Sequence, residues 1–173
     1  MVPPKNFKAR PTTDIAKEAL FNILEHTHEF SEMEVLDLFS GTGSISYEFA
    51  SRECKKVVSI EKDYRSYAFI KETAELFNLK NLSAYKADAF RFIAKSSMQF
   101  SIIFADPPYD LPELSKIPDA VFASNILKPD GLFILEHSSN YDFSAHPNFW
   151  MLKNYSKVHF SFFRFQEDGK TVE

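Results

Sequence analysis

The chain has 173 residues, of which 45% are hydrophobic and 25% charged, and a formal net charge of −4. This length favours one domain with a sizeable core, and the mild acidity counts against a dedicated nucleic-acid binder. The single cysteine excludes an internal disulfide and a cysteine metal cluster. No apolar run is long enough to span a bilayer, and residues 1–5 lack the pattern of a signal peptide. We therefore expect a cytoplasmic protein.

Apolar periodicity predicts alternating helices and strands along the chain. The first helix begins near Asp14, an N-cap candidate, and its predicted apolar face consists of Ile15, Ala19, Leu20, Ile23 and Leu24. Further helices are predicted at 44–52, 64–78 and 89–96, with a broken helical segment at 114–127. Strands are predicted at 35–39, 56–60, 82–85, 101–105 and 132–136, the last entered through a turn at 129–131.

Two final apolar segments, 150–155 and 158–165, predict a closing antiparallel hairpin. The whole pattern predicts an α/β fold with a mostly parallel sheet, helices on both faces and this hairpin at the C-terminus. In such sheets ligands bind beyond the carboxyl ends of the strands. The polar residues that follow each predicted strand are therefore the candidates for a functional site.

A glycine loop follows the first strand, in the sequence Asp37-Leu38-Phe39-Ser40-Gly41-Thr42-Gly43. Glycines at 41 and 43 allow a tight turn and a close approach of the backbone to a ligand. Asp37 can accept a hydrogen bond from an ammonium or amide group there. Ser46 stands where a dinucleotide fingerprint has its third glycine. An ordinary strand-to-helix turn remains an equal alternative.

Two further acids follow the next strands. Glu61, in Glu61-Lys62, lies twenty residues after Gly41 of the glycine loop, a spacing that suits a carboxylate on ribose hydroxyls. Asp88, in Asp88-Ala89, can accept from an adenine amino group or cap the following helix, and both roles are compatible. The alternative for Glu61 is a solvated acid in a charged turn.

The fourth strand runs directly into Asp106-Pro107-Pro108-Tyr109. The prolines fix the backbone and lack N–H groups, which leaves carbonyl oxygens to point into a pocket. Asp106 can accept a hydrogen bond from an amine, and Tyr109 can stack on a planar ring. This combination is suited to holding the exocyclic amine of a base, although a proline turn with a helix-capping acid is the simpler alternative.

Acids at the ends of four successive strands form a more specific pattern than any one of them. With the Asp-Pro-Pro-Tyr motif, this pattern resembles the class I S-adenosylmethionine-dependent methyltransferases that modify amino groups. The N-terminal segment Arg10-Pro11-Thr12-Thr13-Asp14 resembles the opening of the RsmD-type methyltransferases, which methylate a guanine N2 in small-subunit ribosomal RNA. The resemblance extends from Arg10 to the final hairpin.

The resemblance implies a Rossmann-like sheet, S-adenosylmethionine as cofactor, and ribosomal RNA as partner, either free or in a small-subunit assembly particle. It implies catalytic roles for Asp106, Pro107 and Tyr109, and cofactor contacts from Asp37, Ser40, Gly41, Thr42, Gly43, Glu61, Lys62, Asp88, Ala89 and Asp106. Flap or substrate contacts are expected from Arg10, Thr12, Thr13 and Pro108. Residues 1–30 are expected to form the flap and first helix, and residues 31–173 the methyltransferase region, within a single domain.

Other readings stay open on the residues alone. The Asp-Pro-Pro-Tyr motif also fits methylation of adenine or cytosine in DNA, or of a protein glutamine. A non-catalytic nucleotide-binding module is the alternative from a different class. The five histidines lack metal-ligand spacing, and we expect neither a metal site nor a membrane partner. Glu136-His137, at the end of the fifth strand and near the expected pocket, could help shape the site, but a solvated strand end is the favoured interpretation.

Overall fold

Seven strands form one sheet in the computed structural model, which describes residues 13–167. They are β1 Glu34–Leu38, β2 Lys56–Glu61, β3 Leu82–Lys86, β4 Phe100–Ala105, β5 Leu127–His137, β6 Phe149–Tyr155 and β7 Val158–Arg164. Their order across the sheet is β3-β2-β1-β4-β5-β7-β6. The first five strands in that order are mutually parallel, and β7 runs antiparallel to both β5 and β6. The predicted fold class is therefore confirmed.

Helices cover both faces of the sheet. They are α1 Asp14–Thr27, α2 Ser44–Ser51, α3 Tyr64–Leu76, α4 Ala89–Lys95 and α5 Ile117–Ala123. One core cluster contains Leu20 of α1 and Phe49 of α2, and the other contains Ile93 of α4. Successive strand residues belong to opposite clusters, as Ile102 and Ile103 do, because side chains alternate across a sheet. Within residues 13–167, no helix is both long enough and apolar enough to cross a bilayer.

Helix α1 differs from its prediction in cap and orientation. Thr13 is the N-cap, with its hydroxyl oxygen accepting from the Ala16 N–H at 3.3 Å, and Asp14 is the first helical residue. The buried side chains are Ala16, Leu20, Phe21 and Leu24, whereas Ile15 is 76% exposed. Phe21 packs edge-on against Phe49, with ring centroids 4.7 Å apart. The apolar periodicity fits two neighbouring faces of the helix, and packing against α2 selects the one that contains Phe21.

Strand β5 begins at Leu127, five residues before its predicted start at Leu132. Leu127 pairs with Phe100 and Leu132 with Ile102, so the Pro-Asp-Gly segment forms an irregularity inside the strand and not a turn before it. The predicted helical segment accordingly ends at Ala123 instead of reaching Leu127. A short apolar run such as this one does not distinguish helix from buried strand by periodicity.

The packing of α1 is tested by comparing two apolar residues on its two sides. Phe21→Ala should lower the free energy of unfolding by about 3–5 kcal/mol, because it removes a buried aromatic ring. Ile15→Ala is the matched control and should change it by less than about 0.5 kcal/mol, because the side chain is exposed. Urea unfolding of both variants checks the orientation. Equal losses would contradict it.

Candidate active site

A cleft opens along the carboxyl ends of the parallel strands. Strands β1 and β4 are neighbours although two other strands separate them in sequence, which is the type of switch point where such sheets bind ligands. The cleft has a volume of about 2310 Å³. A single small-molecule site typically measures about 300–1,000 Å³. The cleft is therefore large enough for a cofactor together with part of a second substrate.

The predicted site residues come together in this cleft. Those that line it are Thr13, Asp37, Ser40, Gly41, Thr42, Glu61, Lys62, Asp88, Ala89, Asp106, Pro107, Pro108 and Tyr109. Gly43 lies just beneath the surface of the loop, at the start of α2. Arg10 and Thr12 lie outside the described residues, so the predicted flap is represented by Thr13 alone, as the cap of α1.

Hydrogen bonds between residues of the glycine loop hold it in a tight turn. The Gly43 N–H donates to the Ser40 carbonyl at 2.8 Å, and the Ser40 hydroxyl donates to the Asp37 carbonyl at 2.7 Å. Gly43 has φ +85°, and a Cβ atom there would lie 2.7 Å from the ring of Tyr47. Glycine at 43 is thus required both by backbone conformation and by the packing of Tyr47.

Glu61 ties this loop to the end of β2. One carboxylate oxygen accepts from the Gly41 N–H at 2.7 Å, and the other accepts from the Asp63 N–H at 2.8 Å. A carboxylate has about four acceptor positions, so these two bonds leave room for hydroxyl donors. Glu61 is half-buried at the cleft wall. Its position is compatible with the predicted ribose contact, and it also fixes the glycine loop.

Asp37 is buried beneath the loop and is 1% exposed. Its Oδ2 atom accepts from the hydroxyl of Ser46 at 2.6 Å. Burial raises the pKa of the Asp37 carboxyl to about 7, and the Ser46 hydroxyl opposes this shift by stabilising the charged form. Ser46, which the sequence marked only as a departure from a glycine pattern, therefore supports a buried carboxyl group next to the cleft.

Asp88 caps the N-terminus of α4, with its Oδ1 atom accepting from the Arg91 N–H at 3.0 Å. This is the structural role that the sequence left open for it. The half-buried side chain also lines the cleft beside the buried Ala89. A second carboxylate oxygen gives it the capacity to accept from an amino group while it caps the helix.

The Asp-Pro-Pro-Tyr segment leaves β4 in a defined conformation. The Asp106 N–H lies 3.4 Å from the Leu38 carbonyl, which continues the pairing of β4 with β1 by one residue. Pro107 is buried and Pro108 is exposed, and the Pro108 carbonyl accepts from the Leu111 N–H at 3.0 Å. The Tyr109 hydroxyl donates to Glu136 Oε1 at 3.3 Å. The tyrosine ring is therefore held in place at the cleft wall.

Some cleft residues were not predicted from the sequence. The end of β6 contributes Tyr155, and the turn that follows it contributes Ser156 and Lys157, because β7 is antiparallel to β5 and starts at the functional edge. Tyr64 is 65% exposed, and the Lys86 ammonium lies 5.9 Å from the centre of its ring. The sequence does signal Tyr64 and Lys86, because exposed aromatic and basic residues after a strand often lie at the rim of a cleft. It gives no such signal for residues 155–157, because the pairing of β7 with β5 cannot be predicted from the neighbouring sequence.

Within residues 13–167 no group of three or more His, Cys, Asp or Glu side chains has an arrangement that could hold a metal ion. His137 is buried, and its Nε2 atom lies 2.7 Å from the Ser161 hydroxyl. Burial lowers the pKa of His137. Burial raises the pKa of the Cys54 thiol to about 12, so this group is a poor nucleophile near neutral pH.

Comparison with known proteins identifies the family. The family model described as "Conserved hypothetical protein 95" matches residues 1–164. The chain is 28% identical over 158 residues to "Ribosomal RNA small subunit methyltransferase D" of Buchnera aphidicola subsp. Baizongia pistaciae, covering 89% of this chain and 80% of that protein. It is 32% identical over 132 residues to "Putative rRNA methyltransferase YlbH" of Bacillus subtilis, covering 74% and 71% of the two chains.

A solved structure described as "putative methylase HI0767 from Haemophilus influenzae" matches with a TM-score of 0.76 and 26% identity, covering 91% of this chain and 100% of that one. Fold and cleft thus define a class I methyltransferase. The chain belongs to the Conserved hypothetical protein 95 family, and the resemblance to the RsmD-type methyltransferases is confirmed.

Membership of a methyltransferase family implies S-adenosylmethionine as the methyl donor. The cleft residues fit that cofactor. The glycine loop would let a ligand approach the backbone, and Glu61 and Asp88 have remaining acceptor capacity. The several carboxylates that line the cleft would suit a cofactor that carries positive charge. These residues are the ones that would hold it.

The raised pKa of Asp37 predicts a specific pH dependence. The ordinary pKa of an aspartate is near 3.8, so between pH 3.8 and about 7 Asp37 keeps a proton in the folded protein that it releases in the unfolded chain. The free energy of unfolding therefore falls as the pH rises through this window. Asp37→Asn should remove this slope, which is at most about 1.4 kcal/mol per pH unit. Urea unfolding from pH 5 to 8 measures it, with the exposed Glu32→Gln as control. A slope that persists in Asp37→Asn would contradict the assignment.

The contacts of Glu61 predict a loss of cofactor affinity when its carboxylate is removed. Glu61→Ala should weaken S-adenosylmethionine binding by about ten- to a hundred-fold, because it removes charge-assisted acceptors and releases the Gly41 N–H. Calorimetry measures the dissociation constant, and Glu75→Ala, exposed on α3, is the matched control. If Glu61→Ala binds as tightly as this control, Glu61 does not contribute to the cofactor site.

Proposed function

We propose that this protein transfers a methyl group from S-adenosylmethionine to the exocyclic N2 of a guanine in small-subunit ribosomal RNA. Its curated relatives are named as rRNA methyltransferases, at 28% and 32% identity, and this supports methylation of ribosomal RNA. The observation that carries the proposal is that the Asp-Pro-Pro-Tyr segment and the glycine loop line one cleft. The proposed partner is this RNA, free or in an assembly particle, in the cytoplasm.

The proposed mechanism is direct transfer with the base amine as nucleophile. When bound, the cofactor supplies a methyl group on an electron-poor sulfonium. We assign to Asp106 and the Pro107 carbonyl the hydrogen bonds from the amine, which turn its lone pair out of the ring plane and stabilise the positive charge that develops on nitrogen. As the new N–C bond forms, the methyl group separates from the cofactor sulfur, which would keep the bonding electron pair as a neutral thioether. The nitrogen then loses one proton, for which the Asp106 carboxylate is an acceptor.

The target base must be unpaired or flipped out of a helix to reach this cleft, since a paired N2 amine already donates to a partner base. We assign to Tyr109 the stacking on the base, and its fixed ring supports this role. The rim carries the exposed cations Lys62, Arg65, Lys86 and Lys157. They provide a local basic surface for RNA phosphates although the whole chain has a net charge of −4.

Substitution of Asp106 separates chemistry from cofactor binding. Asp106→Ala should lower kcat by about a hundred-fold or more and change the affinity for S-adenosylmethionine by less than about five-fold, because the carboxylate acts on the amine. Asp106→Asn keeps one acceptor oxygen and should retain more activity than the alanine variant. Methyl transfer to small-subunit RNA measures both.

Asp130→Ala is the matched control, because Asp130 is exposed at the beginning of β5, away from the cleft. It should transfer methyl groups as the unchanged protein does. Normal turnover by Asp106→Ala would mean that the Asp-Pro-Pro-Tyr segment is only a turn and would overturn the proposed mechanism.

A further inference from the structure

Glu136 is a buried carboxylate inside the cleft. It is 3% exposed and lines the same cleft as Asp106. The sequence interpretation of this position as a solvated strand end is therefore wrong. Removing a carboxylate from water costs free energy unless other groups replace the lost hydrogen bonds. A buried acid that lines a substrate cleft is a candidate for recognition of a donor group.

The sheet brings Glu136 next to Asp106. Ala105 of β4 pairs with Leu135 of β5, so the residues that follow them occupy neighbouring positions at the carboxyl edge. Phe104 and Ile134, each two residues earlier, belong to the same core cluster. Since side chains alternate along a strand, Asp106 and Glu136 lie on this same face of the sheet. Two carboxylates therefore stand side by side where the target base is proposed to enter.

The neighbours of Glu136 hold it in this position. Its Oε1 atom accepts from the Tyr109 hydroxyl at 3.3 Å, which links it to the motif that is proposed to hold the base. On the other side its backbone pairs with the buried Phe160 of β7. A carboxylate offers about four acceptor positions, so it can accept from several donors at once. Glu136 thus presents a positioned carboxyl oxygen to the cleft.

Two adjacent acceptors match one base in particular. The pairing edge of guanine carries two adjacent donors, the ring N1–H and the N2 amine. Adenine and cytosine each present an amine beside a ring nitrogen that is itself an acceptor, so a carboxylate opposite that nitrogen would repel them. We propose that Glu136 determines specificity by accepting from the guanine N1–H while Asp106 and Pro107 hold the N2 amine. This inference rests on the proposed function.

The test replaces the target guanine with 2-aminopurine once the methylated position has been mapped. This analogue keeps the N2 amine but lacks the 6-oxo group and therefore has an unprotonated N1. The unchanged protein should methylate the guanine RNA with a kcat/KM at least about ten-fold higher than that for the 2-aminopurine RNA. The reason is that the Glu136 carboxyl oxygen would then face the lone pair of the unprotonated N1 instead of an N1–H donor. Rates within about three-fold of each other would overturn the inference without the need for any variant.

Glu136→Gln supplies the second comparison, because its amide can donate to the unprotonated N1. The ratio of guanine to 2-aminopurine methylation should fall by about ten-fold or more in this variant, whereas the exposed control Glu75→Gln should keep the original ratio. Comparing ratios cancels the different intrinsic reactivity of the two amines. S-adenosylmethionine affinity should stay the same in both variants.

The outcomes separate this inference from the function on which it depends. An unchanged ratio in Glu136→Gln, with guanine still methylated, would overturn the role of Glu136 and leave the proposed function standing. Absence of guanine methylation by the unchanged protein would overturn the proposed function itself, and the inference with it.

Discussion

The position of strand β4 beside β1 is the constraint on which the cleft depends. After β3 the chain crosses back over the sheet, so the segments that follow β1 and β4 leave their strands in opposite directions and a crevice opens between them. The glycine loop forms one wall and the Asp-Pro-Pro-Tyr segment the other. Because the neighbouring strands are parallel, acids distant in sequence, such as Glu61 and Glu136, reach one edge of the sheet.

The hydrogen bonds beneath the cleft make its polar groups interdependent. Glu61 accepts from the glycine loop, and Asp37 lies under the same loop with its carboxyl bound by Ser46. A buried carboxyl without this hydroxyl would be strongly disfavoured in its charged form. The shape of the loop therefore depends on residues that need not touch a ligand themselves. We expect substitutions at these supporting positions to alter cofactor binding and stability together.

The sequence alone predicted the fold class and the positions of most cleft residues at the ends of the strands. Buried parallel strands are continuous apolar runs, so their ends are visible, and ligands bind at those ends. The orientation of α1 was not determined, because Ile15 and Phe21 both fit a helical period and only packing against Phe49 decides between them. The burial of Glu136 depends on its pairing with β7, and the contribution of Lys157 depends on the direction of that strand, so neither is a local property.

The proposed function is methylation of the N2 amine of a guanine in small-subunit ribosomal RNA. The most direct test incubates the purified protein with small-subunit particles from a strain that lacks its gene, together with isotope-labelled S-adenosylmethionine. The RNA is then digested, and its nucleosides are separated and identified by mass spectrometry. The label is expected in N2-methylguanosine at one position. Label in a methylated adenosine or cytidine, or in ribosomal protein instead of RNA, would contradict it.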